Sequence, residues 1–260
     1  MGHKRLGYLP KTKRWREIVE QIGSFVAGST DVSSIANKTL QTVQERFENL
    51  SSDPSIQSSF EFLVQFSYAF QKENPTKYLT ENKIIETDEL TLIRIARAAV
   101  NYKSKDVISH EYQAFATQAA VDAITVWYKN NLEQGEGLFN SELNAEAIFS
   151  RAARGDGFSE ISRMYFSRIT ERYLKYFLDR EASTKLTNIQ DRKRFSDEIT
   201  TYINAISKHA FETSKITQSY SAGWFNKYAN ENFPQKRQIR NFLSYAFGKM
   251  KSELLREETR

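Results

Sequence analysis

Cysteine is absent from the 260 residues of this chain. Disulfides, thiolate nucleophiles and cysteine–metal clusters are excluded with it, and a reducing compartment fits. Histidine occurs three times, as His3, His110 and His209. None belongs to an H-E-x-x-H motif or a paired Glu-x-x-His arrangement, so each is read as a surface or hydrogen-bonded residue rather than a metal ligand. No apolar run approaches the roughly 20 residues that span a bilayer. The N-terminus also lacks the apolar stretch of a secretory signal. These absences predict a cytoplasmic protein without a membrane segment. No phosphate-binding loop of the G-x-x-x-x-G-K-[ST] or G-x-G-x-x-G type occurs, and no G-x-S-x-G elbow. No catalytic residue and no cofactor is implied. Glycine and proline are also scarce, at ten and four. The glycines of "GEG" (135–137) and "GDG" (155–157) are read as turn residues supplying unusual backbone angles.

What remains is helical. Apolar residues recur at three- and four-residue steps, alternation of period two is rare, and good helix formers dominate. The pattern predicts an all-α, irregular bundle of about nine helices. The first runs from about Arg14 to Ala27, with Trp15, Ile18, Val19, Ile22 and Val26 on one face. Asp31 is expected to cap the second, and Asp53-Pro54 to start a third, central helix. Asn74-Pro75 should break that helix, and Thr87 or Asp88 should begin the next. Ser109 caps an alanine-rich helix carrying Ala114, Ala116, Ala119, Ala120 and Ala123. "EQGEG" (133–137) is the candidate hinge within a single domain over 14–260. A short helix (141–153), the turn "RGDG" (154–157) and a strong helix from about Ser159 to Arg180 follow. Ile161, Tyr165, Ile169, Tyr173 and Tyr176 stripe that last one. A long helix from about Gln190 to Phe211 is expected to continue, with a kink, towards Tyr228. After Pro234, a final helix aligns Ile239, Phe242, Leu243, Phe247, Met250 and Leu254.

The net charge is +5, and six Lys or Arg fall in the first 16 residues, before any acid. Local charge density sets the field, so this arm attracts phosphates or acidic surfaces more than the net charge implies. Residues 1–13 are expected to form a flexible basic arm. Lys4, Arg5, Lys11, Lys13 and Arg14 are its candidate phosphate contacts. Arg168, Arg172 and Lys175 share one helix face at i, i+4, i+7 and form a second candidate cluster. Glu171 stands four residues before Lys175, the favourable order for an ion pair that would neutralise part of this face. Lys236, Arg237 and Arg240 form a third cluster. Glu142 and Glu146, one turn apart, are read as a solvated face. Gly2 directly follows Met1, whose removal would leave a glycine α-amine with a pKa of about 7.7–8.0. The myristoylation pattern fails at Leu6. Pro10 should keep the residue before it extended, and Trp15 should anchor the arm to the body.

"LPKTKRWREIV" (9–19), "YFSRITERYLKYFLDRE" (165–181) and "AGWFNKY" (222–228), followed by a terminal amphipathic helix, resemble a bacterial all-helical family. Its members begin Met-Gly, carry Leu-Pro-x-Thr-Lys-x-Trp and close with an aromatic segment containing Ala-Gly and Trp. Lys4 and Arg5 are extra basic residues relative to that pattern. The family looks like part of anti-phage defence operons. It is loosely analogous to the small subunit of Qat-type systems, which is encoded beside an enzyme similar to 7-cyano-7-deazaguanine synthase. The resemblance implies a non-enzymatic defence subunit that docks other operon proteins, such a synthase-like enzyme among them. It also implies Gly2 as a point of recognition or modification by a nucleobase-like group. The alternative from the residues themselves is a nucleic-acid-binding module using the basic arm and a basic helix face. A helical enzyme with a site assembled from distant residues is the third reading.

Overall fold

A computed structural model describes residues 9–86, 89–102, 112–135, 145–212 and 215–256. Among these residues there are eleven α-helices and no strand, two helices more than expected. In chain order they are α1 (Lys13–Ser24), α2 (Val32–Glu48), α3 (Pro54–Ala69), α4 (Pro75–Glu81), α5 (Leu92–Asn101) and α6 (Gln113–Gly135). Then follow α7 (Ala145–Ser150), α8 (Gly155–Lys185), α9 (Ile189–Glu212), α10 (Lys215–Tyr228) and α11 (Lys236–Arg256). Buried side chains from Trp15 in α1 to Leu254 in α11 form one continuous core.

One extra helix, α4, arises where a breaker pair acts as a starter. Asn74-Pro75 does not merely end α3, which stops at Ala69. The Asn74 side chain accepts from the Lys77 N–H at 2.9 Å, and Pro75 occupies the first helical turn of α4. A missing proline N–H costs nothing at that position. The helix expected from Gln190 to Phe211 is α9, and α10 continues towards Tyr228 on the far side of residues 213–214, which lie outside the described residues. Asp53 caps α3 as its sequence predicts, accepting from Ser55 N at 2.8 Å and Ile56 N at 3.1 Å. Thr91 caps α5, so that helix begins after Thr87 and Asp88, which lie outside the described residues together with Ser109.

The "GDG" segment is not a turn. It forms the opening of α8, and neither Gly155 nor Gly157 has a positive φ. Close packing explains both. A Cβ on Gly157 would lie 2.2 Å from the Arg151 carbonyl oxygen, and one on Gly155 would lie 2.9 Å from the Asn226 side chain of α10. Gly28 is the glycine that takes a left-handed angle, φ +70°, beyond the end of α1. Because α1 ends at Ser24, Val26 escapes the apolar face and is 48% exposed.

Helix α8 is the axis of the bundle. Its 31 residues span about 46 Å at 1.5 Å per residue. It packs against α6, α9 and α10 most extensively, and touches α1, α2, α3 and α11. Ala116, Ala119, Ala120 and Ala123 of α6 are fully buried, while Ala114 is exposed. Small side chains let two helix backbones approach closely. Helix α3 is buried on nearly every side, with Phe60, Leu63, Val64 and Phe66 sealed from solvent. The predicted seam of α11 is buried in full, from Ile239 to Leu254.

Candidate functional site

Gly2, Lys4, Arg5, His3, His110 and Glu142 lie outside the described residues. The N-terminal segment engages the body from Leu9 onward. Leu9 is half-buried and packs against the core, and Pro10 lines a surface groove with Thr42, Val43 and Arg46 of α2. Helix α2 bends there. The Thr39 and Thr42 hydroxyls donate to carbonyls one turn back, at 2.7 and 2.8 Å, and Val43 leaves helical geometry at φ −113°. Such back-bonding competes with the helix ladder and bends it. Trp15 is 3% exposed, stands edge-on to Phe177 and donates its indole N–H to Glu181 Oε1 at 3.1 Å. Lys11, Lys13, Arg14 and Arg16 are exposed, and none forms an ion pair among the described residues. His209 and Glu146 are exposed, and no cluster of potential metal ligands occurs among the described residues.

Along α8 the three basic residues are matched inside the chain. Arg168 donates to Glu171 Oε2 at 2.8 Å, and Lys175 donates to Glu171 Oε1 at 3.0 Å. Arg172 reaches Asp122 on α6 at 2.6 Å. Thr200 of α9 adds a further bond to Glu171 Oε1 at 2.8 Å. Burial by itself would push the Glu171 carboxyl up. Hydrogen bonds from Lys175, Arg168 and Thr200 together outweigh it and hold the group below the usual carboxylate range. The ion pair that sequence spacing predicts between Glu171 and Lys175 is therefore one edge of a three-helix polar clamp. Its cations are spent on structure.

The opposite arrangement occurs on α10 and α11. Residues 215–252 carry seven Lys or Arg and one acid, Glu231. This stretch and the first 16 residues each contribute +6, against +5 for the whole chain, so the rest of the protein is net acidic. Lys251 pairs with Glu48 of α2. Lys227, Arg237, Arg240 and Lys249 form no ion pair among the described residues, and the first three are exposed. Aromatic rings run between them. Tyr220 stacks on Phe242 with centroids 5.5 Å apart, and Tyr245 lies over Tyr220 at 4.0 Å. Phe158, Trp224 and Phe225 continue the stack inward. Tyr245 is 39% exposed, and Lys249 Nζ lies 5.6 Å from its ring centroid. Burial, with the neighbouring Tyr245 and Tyr228 phenols, pushes Tyr220 up to about 12, so it stays neutral at physiological pH.

The aromatics of α10 and Trp15 of α1 meet α8 towards opposite ends. The α10 aromatics meet Phe158 near its start, and Trp15 meets Phe177 and Glu181 near its end. Nineteen residues of helix separate the two contacts by about 28 Å.

No protein-family model, curated protein or solved structure matches this chain. Sequence reasoning noticed Lys236, Arg237 and Arg240 but passed over Lys227, Lys249, Tyr220 and Tyr245. The signal was present as a long stretch almost free of acids. The pairing of α10 with α11, which brings its two halves together, was not.

Proposed function

We propose that this protein is a nucleic-acid-binding module that uses the exposed cations of α10 and α11, with the basic start of α1 as a second contact region. The observation that supports this most is the unequal treatment of positive charge. Arg168, Arg172 and Lys175 of α8 are neutralised inside the fold, while Lys227, Arg237, Arg240 and Lys249 form no ion pair among the described residues, in a stretch that carries one acid. Lys and Arg side chains without acidic partners can neutralise phosphates and release the counterions condensed on them. Binding of a labelled oligonucleotide at low and moderate salt tests the reading. A logarithmic affinity that falls steeply with salt, and flattens when Arg237 and Lys249 are both changed to Glu, is the expected result. Absence of binding at low salt would remove the proposal.

A second reading keeps the resemblance to defence-operon subunits. Trp15 and Leu9 fix the root of the N-terminal segment to α8 and the core, which suits a body that holds a terminus for another protein. Gly2 would then be recognised or modified by an operon partner such as a 7-cyano-7-deazaguanine synthase-like enzyme. Intact-mass measurement of the chain co-expressed with its neighbouring genes decides this, since only an added mass on the Met-less chain supports it.

A further inference from the structure

We infer that the α10–α11 face is built for single-stranded nucleic acid, with Tyr245 as the outer step of a base-stacking platform backed by Tyr220. This inference rests on the nucleic-acid reading above and specifies its ligand.

Three observations converge on it. The first is the ring arrangement. Tyr245 covers Tyr220 at 4.0 Å with 32° between the planes, and Tyr220 in turn is stacked on Phe242 at 11°. A ring supported from beneath keeps its orientation without further ordering cost, and 39% of Tyr245 remains open to solvent. Aromatic platforms of this kind accept any base, because every base has a π-face. Bases inside a duplex are already stacked on each other and cannot use it.

The second is the placement of cations around the ring. Arg237 and Lys249 stand 8 residues before and 4 residues after Tyr245 on α11, so about 18 Å of helix separates them. Lys227 lies further along α10, in a separate recess with Tyr228, Glu231 and Gln238. A strand laid along α11 would meet Arg237 on one side of a base stacked on Tyr245 and Lys249 on the other. Lys249 Nζ is at the limit of cation–π range, on a flexible side chain that an incoming base can displace towards a phosphate.

The third is a pair of glycines that packing within the chain does not require. Gly223 follows Tyr220 by three residues, and Gly248 follows Tyr245 by three, which places each beside its tyrosine on the helix surface. Neither has a positive φ, and a Cβ on either would meet nothing within 4 Å. A glycine inside a helix costs roughly 0.5–1 kcal/mol relative to alanine. At Gly155 and Gly157 that cost has a reason, since a Cβ would collide with Asn226 of α10 and with the Arg151 carbonyl respectively. At Gly223 and Gly248 the space is open, and the missing side chains leave the flanks of the tyrosine pair low and flat.

The test compares three fluorescein-labelled probes of one length against the full chain by anisotropy: oligothymidylate, an abasic single strand with the same phosphates, and a blunt duplex. Oligothymidylate should bind about tenfold or more tightly than the other two. Tyr245→Ala should remove most of that preference while leaving abasic binding unchanged, and Tyr245→Trp should retain it. Circular dichroism melting of each variant checks folding, and the Trp variant carries the test if the Ala variant is unstable. Equal binding of all three probes, insensitive to Tyr245→Ala but weakened by Arg237→Glu with Lys249→Glu, would overturn the stacking platform and leave a charge-only surface. No binding of any probe at low salt would overturn the nucleic-acid reading along with it.

Discussion

Helix α8 and the α10–α11 pair both present three or more cations at helical spacing, and the fold treats them in opposite ways. On α8, Arg168 and Lys175 close on one buried carboxylate while Arg172 reaches across to α6. On α10 and α11, Lys227, Arg237, Arg240 and Lys249 form no ion pair among the described residues, and Lys249 lies by the exposed Tyr245 ring. Spacing along a helix is the same signal in both cases. What separates them is whether a carboxylate from the same or another helix arrives at the face, as Glu171, Asp122 and the hydroxyl of Thr200 do around α8. A basic helix face becomes informative about ligands only once its neighbours are known.

The largest effect that would break the contrast is removal of the buried acid. Glu171→Ala strands Arg168 and Lys175 in a largely buried setting, and should cost on the order of 3 kcal/mol in urea unfolding. The pH dependence follows from the same group. Its folded carboxyl lies below the ordinary range, so its contribution is complete above the unfolded value and is lost as pH falls through the folded one. Stability should therefore fall below about pH 4.3, and Glu171→Gln should flatten that part of the profile. Changing Arg237 and Lys249 to Glu should do the reverse. Exposed substitutions of this kind usually shift stability by no more than about 0.5 kcal/mol, while nucleic-acid binding is expected to collapse. If charge reversal on α11 destabilised the fold as much as loss of Glu171, the contrast would fail. A smaller effect belongs to Trp15→Phe. It keeps an aromatic ring against Phe177 but deletes the bond to Glu181, for a cost of about 1 kcal/mol by thermal or urea melting.

Much of the bundle is legible in the chain because its elements are set by local rules. The seam of α11 follows from apolar period alone, and the start of α3 follows from Asp53-Pro54. The errors have a common cause. Asn74-Pro75 and Gly155-Asp156-Gly157 are locally ambiguous between ending one element and beginning another. At Asn74 the side chain resolved it by capping forward. At Gly157 the answer lay in the Arg151 carbonyl of the preceding turn, only 2.2 Å from any Cβ, a close approach that the residue pattern does not reveal. The aromatic–basic face was half legible. Its acid-poor composition can be read directly, but the contact of Tyr220 with Tyr245 joins residues 25 apart on antiparallel helices.

The finest distinction concerns glycines that look alike in sequence. Gly157→Ala should destabilise the protein severely, because the added carbon would strike a backbone carbonyl that cannot yield without moving the turn before α8. Gly223→Ala and Gly248→Ala enter open space at ordinary helical angles, so each should stabilise the chain by roughly 0.5–1 kcal/mol in thermal melting. If the flat flanks of the tyrosine pair serve a stacked base, the same two substitutions should weaken oligothymidylate binding while leaving the abasic strand unaffected. Stability rising as binding falls is the signature of a surface kept bare for a ligand. Stability rising with binding unchanged would mean that these glycines serve neither the fold nor the ligand.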